Sequence, residues 1–172
     1  MAGRALAVKH PSVARMESNS VLRDWGASVT GRVLSIGSST DADGEGHTYR
    51  SYFHDATHYD TSEPSPGCDL VLDVRAMPTV PDASYDAVFC SGVLEHVDDC
   101  HAAVRECRRI LTPGGSLLLG LPCQQPIHRA PQDFWRFTEY GIRYMLREFT
   151  IKALVGIGDP AYPTTYWTWA VK

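Results

Sequence analysis

The stretch YDAVFCSGVLEHVDDCHAAVRECRRILTPGGSLLLGL, residues 85–121, decides the fold of this chain. It begins with a short apolar strand over residues 85–90 and ends with a strongly apolar strand over 116–121. Between them, apolar residues recur at helical spacing over 99–111, and a Pro-Gly-Gly turn ends that helix. A strand, a helix and a second strand in this order predict two parallel strands joined by a crossover helix.

Toward the N-terminus, three more apolar segments predict strands, and a short helix precedes them. We expect the helix over residues 20–26 and the first strand over 32–37, where it ends at a glycine. The second strand is expected over 56–59, leading to Asp60, and the third over 69–74. Small and polar residues fill the intervals, as is typical of loops.

Toward the C-terminus, Thr138 caps a second amphipathic helix, and two strand candidates follow over 151–157 and 165–171. Too few residues separate these strands for a helix, so they must pair as a hairpin. The sequence predicts an α/β fold, a Rossmann-like doubly wound mostly parallel sheet with a C-terminal antiparallel hairpin strand. We expect one domain over residues 1–172, with residues 1–19 as an N-terminal extension.

The composition excludes several classes of partner. Hydrophobic residues make up 44% of the 172 residues and charged residues 21%, as in a soluble globular protein. The net charge of −4 provides no attraction to a nucleic acid, and no apolar run is long enough to span a membrane. We therefore expect neither a nucleic-acid partner nor a membrane partner.

The cysteines and histidines predict neither a disulfide framework nor a metal site. None of the five cysteines forms a C-x-x-C pair, so a reducing cytoplasm is the expected compartment. His47, His54 and His58 are loosely spaced, and we expect no bound metal.

Polar residues follow the predicted strands at the edge where an open parallel sheet binds its ligand. Gly37 and Ser38 follow the first strand, Asp60 the second and Ser91 the fourth, while Asp73 lies near the end of the third. A carboxylate about twenty residues beyond a glycine turn suits a ribose, because it accepts hydrogen bonds from two hydroxyls. Each acid is equally suited to capping a helix, and only their recurrence favours a nucleoside ligand.

Residues 86–97, DAVFCSGVLEHV, and 109–115, RILTPGG, resemble the fourth and fifth strand region of class I S-adenosylmethionine-dependent methyltransferases. The similarity covers roughly residues 20–150. It implies S-adenosyl-L-methionine as cofactor, with Gly37 and Ser38 along its methionine moiety, Asp60 on the ribose and Ser91 beneath the sulfonium. The residues that would flank the adenine are Asp73, Val74 and Arg75.

The first strand departs from the family pattern of an acid followed by a G-x-G turn. Ser35 replaces the acid, and Ser39 stands at the second glycine, which in the family permits close backbone approach. This departure favours one alternative, a catalytically silent methyltransferase-like binding or partner subunit. A nicotinamide-dependent oxidoreductase is less favoured, because G-x-G-x-x-G is absent after the first strand.

Residues 126–138, PIHRAPQDFWRFT, resemble a segment of small methyltransferases linked with glycan or natural-product modification. We assign catalytic roles to His128, as a general base toward a hydroxyl acceptor, and to Asp133, as the group that hydrogen-bonds its ring. The alternative for Asp133 is a structural ion pair with Arg136. His96, the motif histidine, either packs and caps or contacts a ligand.

The expected reaction is methyl transfer to a small-molecule acceptor, a glycoside or a natural-product intermediate, at a hydroxyl. Specificity must come from the N-terminal segment, the 123–137 loop or a second subunit, because little chain lies outside the core. A homo-oligomer and a hetero-oligomer both remain open.

Overall fold

The computed structural model describes residues 12–38 and 40–172. The helices are α1 (Val13–Gly26), α2 (Cys100–Ile110) and α3 (Glu139–Met145). The strands are β1 (Gly31–Ile36), β2 (Ala56–Glu63), β3 (Leu70–Val71), β4 (Tyr85–Ser91), β5 (Leu111–Pro122), β6 (Thr150–Asp159) and β7 (Tyr162–Val171). Among the described residues, no helix is both long and apolar enough to cross a bilayer.

All seven strands form one sheet in the order β3-β2-β1-β4-β5-β7-β6. The first five strands of this order run parallel, whereas β7 lies antiparallel between β5 and β6. Strands β1 and β4 are buried over most of their length, which explains their apolar sequences and their central position. The predicted fold class is confirmed, including the C-terminal hairpin.

The two faces of the sheet carry different cores. On one face, α2 and α3 cover an aliphatic cluster that includes Leu117 and Ile142. On the other face, α1 covers an aromatic cluster in which the rings of Phe89 and Trp167 stack with centroids 6.1 Å apart. Each helix therefore buries one apolar face against a sheet that is itself apolar on both sides.

Helix α1 begins earlier than the sequence predicts. Its first residue is Val13 rather than Ser20, because the side chain of Ser12 accepts a hydrogen bond from the backbone N–H of Arg15 and caps the helix. The predicted extension boundary at residue 19 therefore lies inside α1, where Asn19 is fully buried. Residues 1–11 of that extension lie outside the described residues.

The other boundary differences come from pairing between strands. The third strand is confined to Leu70 and Val71, which pair with the last two residues of β2, Ser62 and Glu63. Strand β5 starts at Leu111, and the Pro-Gly-Gly element forms an irregularity within its pairing to β4 instead of a separate turn.

The core position of Ile110 gives a test of the packing. Ile110 at the end of α2 is fully buried in the aliphatic cluster, so Ile110→Ala should lower the free energy of unfolding by about 2–5 kcal/mol. Arg105→Ala, on the exposed face of the same helix, should change it by less than about 0.5 kcal/mol. Urea unfolding, monitored by circular dichroism, measures the free energy of unfolding of both variants. Equal decreases in the two variants would contradict the assignment of Ile110 to the core.

Candidate active site

A continuous cleft opens at the carboxyl ends of β1 and β4, where the strand order reverses direction. It consists of a larger cavity of about 670 Å³ and a smaller one of about 410 Å³. The residues that line both cavities are Ile36, Gly37, Glu63, Gly92, His96 and Arg129. The two cavities therefore adjoin along these shared residues, and each is large enough for a small molecule or a part of one.

The turn after β1 requires its glycine. Gly37 has φ +74°, and a Cβ atom there would collide with a methyl group of Val93. The hydroxyl of Ser38 donates to the carbonyl oxygen of Ser35 at 3.0 Å, and the hydroxyl of Ser62 donates to the same oxygen at 3.2 Å. Gly37 and Ser38 both line the larger cavity, as expected from the sequence, while Ser39 lies outside the described residues.

The acid at the end of β2 is Glu63, and the prediction that this strand ends at Asp60 is wrong. The strand continues to Glu63, which lines both cavities. Asp60 pairs with Leu34 in the middle of the sheet, and its carboxylate accepts a hydrogen bond from the Tyr85 hydroxyl at 2.7 Å. Asp60 lines neither cavity. The sequence missed Glu63 because polar residues fill positions 60–63, so no local signal marks the strand end.

The smaller cavity combines apolar walls with several charged side chains. Asp73, Val74 and Arg75, which the resemblance assigns to the adenine, line it together beside Val93. The guanidinium of Arg75 donates to both carboxylate oxygens of Asp73, at 3.0 and 2.6 Å, and also to Asp98 at 2.8 Å. Hydrogen bonds from Arg75 hold the pKa of the Asp73 carboxyl below its ordinary value, so this group remains an acceptor at neutral pH.

Ser91 lies at the floor of the larger cavity, at the end of β4. Its partner on β5 is Gly120, where a Cβ atom would lie 2.6 Å from Ser91 Oγ and 3.0 Å from the indole ring of Trp167. Gly120 therefore keeps this floor open.

A hydrogen-bonded loop over residues 123–137 forms one wall of the cleft. The Arg136 guanidinium donates to the carbonyl oxygens of Gln125 at 3.0 Å and Pro126 at 2.8 Å, and to both oxygens of Asp133 at 2.7 and 2.8 Å. The backbone N–H of Phe134 donates to the carbonyl oxygen of Glu95 at 2.7 Å. These bonds tie the loop to itself and to the segment after β4.

Asp133 holds His128 through the backbone. Its carboxylate, only 1% exposed, accepts a hydrogen bond from the His128 N–H at 2.7 Å and lies 3.7 Å from the ring Nδ1. The nearer partner of Nδ1 is the carbonyl oxygen of Pro126, at 3.2 Å. The predicted hydrogen bond from Asp133 to the His128 ring is therefore wrong, because 3.7 Å is too long and Pro126 occupies Nδ1. The alternative, an ion pair between Asp133 and Arg136, is present.

Glu95, His96 and His128 converge on the larger cavity, a grouping that the sequence analysis missed. Glu95 Oε1 lies 3.9 Å from His96 Nε2 and 3.8 Å from His128 Nε2, and the two imidazole rings meet edge to face. Glu95 is 2% exposed, and burial raises the pKa of its carboxyl above the ordinary value. Since His96 lies in the cleft, its position favours ligand contact over packing alone.

The charge of Asp133 should stabilise the protein in a pH-dependent way. Hydrogen bonds from Arg136 and from the His128 N–H hold the pKa of Asp133 well below its ordinary value of about 3.9. Its stabilisation is therefore complete at neutral pH and is lost as the pH falls through the folded-state pKa, below about 4. Wild type should melt above Asp133→Asn at neutral pH, and the gap should shrink toward about pH 2.

Thermal melts of both proteins across this pH range provide the measurement. Asp24→Asn, an exposed change of the same kind on α1, is the matched control and should leave the melting temperature unchanged. A gap between wild type and Asp133→Asn that persists undiminished in acid would show that the carboxylate charge is not what holds the loop.

Comparison with known proteins finds a match to a methyltransferase domain. Residues 44–119 match the family model described as a methyltransferase domain. Over 77 residues the chain is 36% identical to a ubiquinone biosynthesis O-methyltransferase of Xanthomonas oryzae pv. oryzae. That alignment covers 45% of this chain and 30% of the relative. Over 122 residues it is 30% identical to a protein of the same name from Psychrobacter cryohalolentis. That alignment covers 71% of this chain and 40% of the relative. The chain thus spans less than half the length of these curated relatives.

A solved structure agrees with this match. The N-methyltransferase NodS from Bradyrhizobium japonicum WM9, in complex with S-adenosyl-L-homocysteine, superposes with a TM-score of 0.72 at 16% identity, covering 92% of this chain and 87% of that one. At this identity the likeness shows the fold alone. The matched domain and the shared fold confirm the resemblance found in the sequence and support S-adenosylmethionine as cofactor. Residues 44–119 therefore match a methyltransferase domain, and the chain has the fold of the S-adenosylmethionine-dependent methyltransferases.

Proposed function

We propose that this protein transfers the methyl group of S-adenosyl-L-methionine to a hydroxyl group of a polar small molecule, a glycoside or a natural-product intermediate. The observation that carries the proposal is the two-part cleft, which has Glu63 and Asp73 in one half and His128 in the other. The names of the two curated relatives, both O-methyltransferases, support oxygen as the acceptor atom.

The residues of the smaller cavity fit the adenosyl part of the cofactor. The Gly37 turn brings the backbone close to the cleft, in space that a Cβ would obstruct. Glu63 and Asp73 both line this cavity; the Glu63 carboxylate would accept hydrogen bonds from both ribose hydroxyls, and Asp73 would accept one from the adenine amine. Val74 and Val93 provide the apolar walls that a purine ring needs. Gly37, Ser38 and Ser91 would hold the methionine end.

The larger cavity fits a polar acceptor. When bound, the cofactor supplies a methyl group on a positively charged sulfur, which leaves as a neutral thioether. The walls beyond Ser91 carry side chains that can hydrogen-bond the hydroxyls of a sugar or a similar molecule. These wall residues are Arg15 and Ser18 of α1, Gln124 and Gln125 of the loop, and Thr164 and Thr165 of β7. Most of the rate acceleration would come from holding the acceptor oxygen in line with the methyl carbon.

His128 would take the proton of the acceptor hydroxyl. Its Nδ1 faces the carbonyl oxygen of Pro126, which can only accept, so the proton of the neutral ring lies on Nδ1. The lone pair is then on Nε2, which points toward Glu95 at the larger cavity. Asp133 is a positioning residue in this scheme, because it holds the His128 backbone through the loop.

Glu63 should carry the ribose, in place of the Asp60 expected from the sequence. Glu63→Ala should weaken the binding of S-adenosyl-L-homocysteine by about 1.5–3 kcal/mol, the cost of losing hydrogen bonds to a charged group. Asp60→Ala is the matched control and should leave the affinity unchanged, because Asp60 lines neither cavity.

Isothermal titration calorimetry measures both affinities, with NAD as the control ligand. If only Asp60→Ala lowered the affinity for S-adenosyl-L-homocysteine, Asp60 and not Glu63 would be the residue that binds the ribose. Binding of NAD without any binding of S-adenosyl-L-homocysteine by wild type would overturn the proposed function itself.

His128 should affect turnover and not cofactor binding. A positioned base contributes about 10²–10⁴-fold, so His128→Ala should lower kcat by that order while the affinity for S-adenosyl-L-homocysteine stays unchanged. His101→Ala, an exposed histidine on α2, is the control. The assay follows S-adenosyl-L-homocysteine release with a panel of glycosides and phenols, and full turnover by His128→Ala would make the histidine structural.

A further inference from the structure

We infer that Glu95, His96 and His128 form a binding site for one divalent transition-metal ion, such as Zn²⁺, on the acceptor side of the cleft. Two imidazoles and one carboxylate are a ligand set that such ions favour. The sequence analysis predicted no metal, because its loosely spaced histidines, His47 and His54 among them, do not include this group.

The distances between the three side chains suit an ion better than direct hydrogen bonds. One ligand atom from each residue lies within 4.8 Å of the other two, and Glu95 Oε1 is 3.9 and 3.8 Å from the two imidazole nitrogens. These separations exceed the hydrogen-bond limit of about 3.2 Å. Ligands about 2.0–2.1 Å from a tetrahedral ion lie about 3.4 Å apart. The two Glu95 pairs would therefore contract by about 0.5 Å, and the widest pair by at most about 1.4 Å.

Glu95 supplies a second, independent observation. The side chain is 2% exposed and lines the larger cavity. Among residues 12–38 and 40–172, no group hydrogen-bonds its Oε2 atom. A buried carboxylate is costly unless it is paired or coordinates a metal, so an ion bound at Oε1 would offset the charge of a carboxylate whose Oε2 has no hydrogen-bond partner.

The imidazole rings are oriented as metal ligands are. His96 Nδ1 hydrogen-bonds the carbonyl oxygen of Gln132, and His128 Nδ1 hydrogen-bonds that of Pro126. A carbonyl oxygen only accepts, so each neutral ring carries its proton on Nδ1 and presents a lone pair at Nε2. Metal-bound histidines nearly always donate their other ring N–H in this way. Both Nε2 atoms face Glu95.

Three protein ligands leave a coordination position open toward the larger cavity, as in catalytic zinc sites. An acceptor hydroxyl bound there would lose its proton to water more readily, because a divalent ion lowers the pKa of a coordinated O–H group. A bound ion would occupy the Nε2 lone pair of His128, so the histidine would act as the base only in the metal-free protein, and as a ligand when the ion is bound. This role toward the acceptor rests on the proposed function, whereas the metal binding does not.

The test is Zn²⁺ titration of the chelator-treated protein by calorimetry, with Co²⁺ absorption in the visible range as a report on coordination. One equivalent of Zn²⁺ should bind, and Mg²⁺, which prefers oxygen ligands, should not. Glu95→Gln and His128→Gln should each lower the Zn²⁺ affinity by at least about 10–100-fold, the loss typical of removing even an outer partner of a metal ligand. His54→Gln, on an exposed histidine elsewhere, should bind as wild type does.

Equal Zn²⁺ affinity in wild type and Glu95→Gln would overturn the site, as would Co²⁺ spectra without tetrahedral or five-coordinate bands. If Glu95→Gln fails to fold, His128→Gln on the partly exposed loop carries the same comparison. Titration with S-adenosyl-L-homocysteine on the same samples separates the two proposals. Glu63→Ala should lose that ligand and keep Zn²⁺, whereas Glu95→Gln should lose Zn²⁺ and keep that ligand.

Discussion

The parallel pairing of β1 with β4 is the interaction on which the site depends. In this register Ile36 lies opposite Cys90, so the turn at Gly37 and the strand end at Ser91 come out of the sheet at the same level. The remaining strands extend to either side of this pair, β2 and β3 one way and β5 the other. Strands β1 and β4 both end at this level, and the cleft forms beyond their ends.

The sequence predicts well where the signal is local. The strand, helix and strand over residues 85–121 appear as β4, α2 and β5 because a buried strand and an amphipathic helix each carry their own pattern. The end of β2 has no such pattern. Its position depends on the pairing of Ser62 and Glu63 with β3, a contact between segments that a polar loop separates. The sequence therefore predicts the end of this strand at Asp60, three residues too early.

The grouping of Glu95, His96 and His128 could not be predicted from the sequence for a similar reason. Glu95 and His96 belong to the motif after β4, whereas His128 comes from the loop after β5. The bonds of Arg136 and the backbone of Phe134 bring these segments together, and no spacing rule in the sequence anticipates them. Ser35 stands where the family has an acid. Its carbonyl oxygen accepts hydrogen bonds from the hydroxyls of Ser38 and Ser62, and these two bonds hold the turn after β1.

The two histidines of the cleft are oriented by main-chain oxygens, at Gln132 and Pro126. Every amino acid supplies the same carbonyl, so the side chains at these two positions are free to vary while both tautomers persist. The neighbouring residues Gln124 and Gln125 line the larger cavity, where the proposed acceptor would meet their side chains instead. Related enzymes can therefore diverge in the molecule they accept while they inherit an unchanged arrangement of reactive nitrogens.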